Sequence, residues 1–184
     1  METLVGKDAY SQLASLFDYP TDSLVSRVDE VINNVSSIEG LPPELINSIK
    51  EFRKAIEKLP IHEVQVVYSY TFEMSSDFTL DMGAHIYDGF KRADNLVNIK
   101  TMYRRFEFPF ETLGKGELPD HLPLILRFLG FVKEEGVKKE FEKDFLIKCL
   151  EKLNKNFTKR QDIPYYHVIN AVYRLIDKDV KEEV

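Results

Sequence analysis

The sequence predicts an all-α fold, a helical bundle of about six to eight helices formed by a single domain over residues 1–184. Three observations predict it. Apolar residues recur at steps of three and four along most of the chain, the period of one helix face. No run alternates apolar and polar residues between turn signals, so no sheet is expected. The chain has 184 residues, 43% of them hydrophobic, enough to fill a core without disulfide or metal staples.

The elements follow in order. Leu24, Val28, Val31 and Val35 stack on one helix face, with Thr21 or Asp22 available as N-cap. After Pro42 and Pro43, the residues Leu45, Ile49, Phe52, Ile56 and Leu59 mark a second helix, which Pro60 stops. Val64, Tyr68 and Phe72 set the inward face of a third helix over residues 61–72. A fourth runs over residues 90–105, and the apolar run Leu124, Ile125, Leu126, Phe128 and Leu129 begins a fifth. Val137, Phe141, Phe145, Leu150, Leu153 and Phe157 describe one long helix. Pro164 opens the last, with Tyr165, Val168, Ile169, Val172, Leu175 and Ile176 inward. The charged end, residues 177–184, is expected to fray.

Two segments break the pattern. Residues 73–89 hold two glycines, two serines and several aspartates; residues 106–119 hold prolines, Gly114 and Gly116. Both exceed the usual helix–helix connection. Long ordered loops carry function more often than the helices they join. The two flank the helix over residues 90–105, so they converge if that helix packs across the bundle.

Composition excludes several classes. Net charge is −6, with 30% charged residues of interleaved sign. Phosphate backbones are repelled on average, so nucleic acid is not an expected partner. A basic peptide is attracted. Cys149 is the one cysteine, which allows no intramolecular disulfide and fits a reducing cytoplasm. The first fifteen residues lack the apolar stretch of a signal peptide, and no run is long enough to span a bilayer. A cytoplasmic protein without membrane insertion is expected. Arg104-Arg105 lies mid-chain, so it reads as surface charge rather than an export signal. His85 and His121 lack metal-ligand spacing, and Ser75 and Ser76 lack a strand–turn–helix elbow. Gly114-Lys115-Gly116 is too short for a phosphate loop. No catalytic residue, cofactor or metal is expected.

The stretch Glu117-Leu118-Pro119-Asp120-His121-Leu122-Pro123 sets two carboxylates and an imidazole between prolines that stiffen the backbone. Upstream stand Tyr68-Ser69-Tyr70-Thr71-Phe72-Glu73, then Gly83-Ala84-His85-Ile86-Tyr87-Asp88-Gly89, then Tyr103. In this order the set resembles the NarJ/TorD/DmsD family of redox-enzyme maturation chaperones, most of all its nitrate reductase delta-subunit branch. The resemblance covers roughly Leu13 to Leu129. It implies a TorD/NarJ-like bundle with two functional loops. It also implies a chaperone that binds the N-terminal or signal segment of the catalytic subunit of a molybdenum (or tungsten) oxidoreductase, with or without a twin-arginine motif. Such a chaperone holds its client competent for molybdopterin cofactor insertion before export.

Under that resemblance, Asp120 pairs with a client arginine and His121 hydrogen-bonds beside it. The plain alternative makes Asp120 the N-cap of the following helix and His121 a first-turn residue. Glu117 shares the recognition role or is a solvated loop charge; Leu118 and Pro119 shape the loop. Tyr68 lines a groove or packs in the core, and for Phe72 core packing is the simpler reading. Asp77, Asp81 and Asp88 form an acidic rim for basic groups or stand as separate solvated charges. His85 and Tyr87 belong to the same loop and complete the candidate client-binding set. Two other readings stay open: a small enzyme with an Asp120–His121 acid–base dyad, and a helical scaffold with a generic partner.

Overall fold

The computed structural model describes residues 6–182. Its α-helices are α1 (Ala9–Ser15), α2 (Leu24–Ser36), α3 (Pro43–Ile56), α4 (Ile61–Tyr68), α5 (Gly89–Arg105), α6 (Phe110–Gly114), α7 (Leu122–Phe131), α8 (Glu135–Phe141), α9 (Ile147–Thr158) and α10 (Tyr165–Lys181). Among the described residues there is no strand, only one isolated antiparallel bridge between Asp81 and His121. The all-α expectation holds.

Local chemistry explains the ends. Pro43 opens α3, Glu44 sits in its first turn, and Arg53 and Lys54 in its last, so both charges oppose the helix dipole. α2 differs from expectation at its cap. Ser23 occupies that position with no side-chain bond to the helix backbone; its hydroxyl bonds that of Thr21 at 2.9 Å instead. α1, which the sequence pattern did not single out, is capped by Asp8, whose carboxylate accepts from the Ser11 N–H.

Two expected rods carry a π-helical turn. α4 continues through Ser69–Glu73, and Glu142–Leu146 joins α8 to α9. Each π turn widens the spiral and rotates the face that follows. In the first, the rotation keeps Thr71 and Phe72 inward while Tyr70 turns out.

α10 packs against α3 and α9, α1 against α7 and α2, and α2 against α3. The inward residues expected for α2, α3 and α10 are all buried, apart from Leu59 beyond the end of α3, which is partly buried against the core. Each fully buried Leu, Ile or Phe contributes about 1.5–3 kcal/mol. The expected fraying of residues 177–182 is not seen: α10 reaches Lys181, and Asp179 accepts a hydrogen bond from the Tyr10 hydroxyl at 2.6 Å. Residues 183 and 184 lie outside the described residues.

α5 is different from its neighbours. Only Ile99 and Tyr103 of its residues are buried, while Phe90 is 92% and Val97 63% exposed. Lys91 and Arg92 sit near its N-terminus, where the dipole opposes positive charge. Its N-cap, Asp88, makes no side-chain bond. α5 is therefore held mainly at its C-terminal half.

Candidate functional site

The two long loops meet. The Leu122 N–H donates to the Leu80 carbonyl at 2.8 Å, and the Met82 N–H to the Asp120 carbonyl at 2.9 Å. From α5, the buried Tyr103 hydroxyl donates to the Pro119 carbonyl at 2.8 Å. The convergence expected around this helix is thus built from backbone bonds on both sides.

Inside the junction sits the Asp120 side chain. The N-cap role weighed as the plain alternative is not what forms. His121 occupies the N-cap of α7, and the Asp120 carboxylate turns to the opposite loop. Its Oδ2 accepts from the Gly83 N–H at 2.9 Å. A Cβ on Gly83 would lie only 2.7 Å from that oxygen, so glycine is what permits the approach. Asp120 is completely buried, and burial pushes its carboxyl upward, with Asp81 adding to the effect. The Gly83 N–H and Arg92 act the other way. In this arrangement Asp120 offers no surface to a partner.

Around it lies a charged network. The His121 ring Nδ1 is 3.1 Å from Asp81 Oδ1 and 3.8 Å from Glu117 Oε2. Arg92 Nη2 lies 3.6 Å from Asp81 Oδ2 and 3.8 Å from Asp120 Oδ2. Asp81, Glu117, Asp120 and His121 are therefore brought together as a group. The dyad reading loses its geometry, because His121 pairs with Asp81 while Asp120 pairs with Gly83. Ligand atoms of Asp81, Glu117 and His121 fall within 4.8 Å of one another, a spacing a cation can bridge. The Arg92 guanidinium already supplies positive charge at Asp81.

The other candidates fall elsewhere. Tyr68 and Phe72 pack in an aromatic core cluster with Phe17 and Tyr165, at 8% and 7% exposure. The Tyr68 hydroxyl donates to the Phe17 carbonyl at 2.9 Å, which satisfies it without a groove. The core alternative weighed for both is the one the structure takes. The ring of His85 reaches the Thr79 carbonyl at 2.8 Å, and burial pulls its pKa down. Tyr87 stacks on Phe145 with planes 9° apart. Asp77 and Asp88 are exposed and stand apart from the Asp81 pairing, so the aspartates form no continuous rim. Leu118 is partly open at 40% exposure, and Pro119 contributes its carbonyl to Tyr103.

A second feature was missed by the sequence reading. His62, Val66, Tyr70 and Met74 follow one another at steps of four along α4 and its π turn. With Tyr19 they line a cleft of about 320 Å³. Val66 is 51%, Tyr70 63%, Met74 70% and Tyr19 50% exposed, which makes a contiguous apolar strip. The signal was present. Once Val64, Tyr68 and Phe72 are assigned inward, Val66 and Tyr70 must face out. Asp18 and Glu73 are the chain neighbours of Tyr19 and Met74, so two carboxylates stand next to the strip, and Asp18 is itself paired with Arg127 at 3.0 Å.

These features define an all-α bundle with two long loops locked together and an exposed apolar strip. Residues 39–169 match the family of the nitrate reductase delta subunit, and the chain belongs to that family. Over 131 residues it is 24% identical to the nitrate reductase molybdenum cofactor assembly chaperone NarJ of Escherichia coli strain K12. That alignment covers 68% of this chain and 54% of the relative, and the NarJ of Escherichia coli O157:H7 gives the same figures. The chain spans about half the length of the curated relatives it matches. The charged network and the α4 part of the strip fall inside the matched residues; Tyr19 lies outside them.

Proposed function

We propose that this chain is a maturation chaperone, not an enzyme, and that residues 1–184 act as one chaperone domain. Its client is the catalytic subunit of a molybdenum (or tungsten) oxidoreductase. It binds the client's N-terminal segment in the cytoplasm and keeps the apoenzyme open to cofactor insertion before any export. Family membership and the cofactor-assembly role of the NarJ relatives support this reading. No described helix is long and apolar enough to cross a membrane, which is compatible with it.

The observation that carries the reading is the apolar strip of Tyr19, Val66, Tyr70 and Met74, with the carboxylates of Asp18 and Glu73 as chain neighbours of its ends. An amphipathic client segment lays its apolar side chains along the strip, as a helix enters a groove. Covering one half-exposed Val, Tyr or Met is worth on the order of 1 kcal/mol. The carboxylates steer basic residues and select for them rather than supply most of the affinity.

The test is metal loading of the client. In cells lacking this chain, the client catalytic subunit should accumulate with little molybdenum. Restoring the chain should restore the metal. Equal molybdenum content with and without it would overturn the chaperone reading.

A further inference from the structure

We propose that Arg92 is an internal placeholder in the acidic junction, and that a client arginine engages the site by displacing it. The inference rests on the client-peptide reading above and adds a step to it.

The geometry points to a pairing that is incomplete. One Arg92 nitrogen, Nη2, faces both Asp81 and Asp120, at 3.6 and 3.8 Å. Both distances exceed a hydrogen bond. The Arg92 Nε is buried and has no hydrogen-bond partner among the described residues, and neither has Asp120 Oδ1. A guanidinium satisfies a carboxylate best through two parallel N–H bonds. Here a buried donor and a buried acceptor are each unfulfilled, and the nitrogen that does face the Asp120 carboxylate stands 3.8 Å from it. A junction built only for stability would close that gap, since a buried unpaired polar group is costly.

Arg92 is also placed to move. It sits one turn into α5, on the half of that helix with no buried residue. Gly89, with φ +46°, begins the helix, and neighbouring Phe90 is 92% exposed. No side-chain cap anchors this end, and the helix dipole disfavours positive charge there. The Arg92 side chain is 30% exposed while that of Asp120 is 0% exposed, so Arg92 reaches solvent and the carboxylate it faces does not. Swinging Arg92 outward exposes Asp81 and Asp120 together. An arginine from a client can then make the bidentate contacts that Arg92 does not. A lysine, a single point charge, cannot replace both. Arg92 thereby sets a threshold: weakly matched cations leave it in place.

The test uses a synthetic amphipathic peptide with paired arginines, and the same peptide with lysines or glutamines in their place. Arg92→Gln should bind the arginine peptide about tenfold or more tightly than the wild type. It should also bind the lysine peptide better than the wild type does, narrowing the arginine-over-lysine preference. Affinity for the glutamine peptide should be the same in both proteins. Equal or weaker binding of the arginine peptide by Arg92→Gln would overturn the placeholder role and leave the peptide site standing. A wild type that fails to distinguish arginine from glutamine peptide would instead remove the electrostatic part of the proposed function, and the displacement with it. Should Arg92→Gln fold poorly, the Arg92 Nε–H resonance of the wild type decides. It should be protected from exchange in the free protein and become solvent-exchanging when the arginine peptide binds. A resonance still protected in the complex overturns the proposal.

Discussion

Replacing Gly83 by alanine perturbs the junction at one atom. The added Cβ would lie 2.7 Å from Asp120 Oδ2 and 3.0 Å from Asn95 Oδ1. The first distance is shorter than real Cβ contacts allow, so the carboxylate must retreat from the Gly83 N–H. Overpacking costs about 1–3 kcal/mol. A hydrogen bond to a charged group, weakened at the same time, is worth about 1.5–3 kcal/mol. Because the hydrogen bond is stretched rather than lost, only part of the second cost adds to the first, and the loss is about 2–4 kcal/mol. For a chain of this size that lowers Tm by roughly 5–15 °C. Gly136→Ala is the control. It lies in α8 with nothing within 4 Å of its would-be Cβ, so it should stabilise by about 0.5–1 kcal/mol through helix propensity. Thermal and urea unfolding of both variants measure the difference. In an Asp120→Ala background, most of the Gly83→Ala cost should vanish, because the crowded atom is gone. Wild-type stability for Gly83→Ala would refute the claim that the two loops are pinned by this carboxylate.

Two further outcomes follow from buried polar groups. The Tyr10 hydroxyl lies 3.0 Å from Glu142 and 2.6 Å from Asp179, and burial pushes Glu142 up to about 7, with Asp179 also raised. A carboxyl with a raised folded pKa holds more protons folded than unfolded, so its contribution falls as pH rises from about 4.5 to 7. Stability of the wild type relative to Glu142→Gln should therefore decline across that window, by on the order of 3 kcal/mol, and a pH-independent difference in unfolding free energy would contradict it. Tyr68→Phe should cost about 1 kcal/mol in urea unfolding, because the Phe17 carbonyl loses its donor. Peptide affinity should not change, and a large fall in it would return Tyr68 to the binding face.

Much of the bundle was legible in the sequence. Spacings of three and four placed the inward faces of α2, α3 and α10 correctly, because an amphipathic helix records its buried side in its own period. The π turns at Ser69–Glu73 and Glu142–Leu146 were not legible, since one extra residue per turn scarcely alters an apolar pattern. The convergence of the two loops around α5 could be anticipated from their places along the chain. The fate of Asp120 could not. Local capping rules favour the N-terminus of α7, but the amide that wins belongs to Gly83, thirty-seven positions away. Arg92 was missed for the same reason, because its meaning depends on Asp81 and Asp120 rather than on its helix neighbours. The outward strip of Val66 and Tyr70 was readable as the complement of the inward face of Val64, Tyr68 and Phe72, but the helical period alone does not separate an exposed apolar face from an ordinary solvated one.

The central claim is that the strip along α4 recognises the client, and a calorimetric titration tests it most directly. The titrant is the N-terminal peptide of the client catalytic subunit, and the proteins are the wild type and Tyr70→Asp. Tyr70 is 63% exposed, so the substitution should leave folding stability within about 0.5 kcal/mol. The account predicts measurable wild-type binding that weakens at least about tenfold in Tyr70→Asp, a loss of about 1.4 kcal/mol. Undiminished affinity in a folded Tyr70→Asp protein would contradict it.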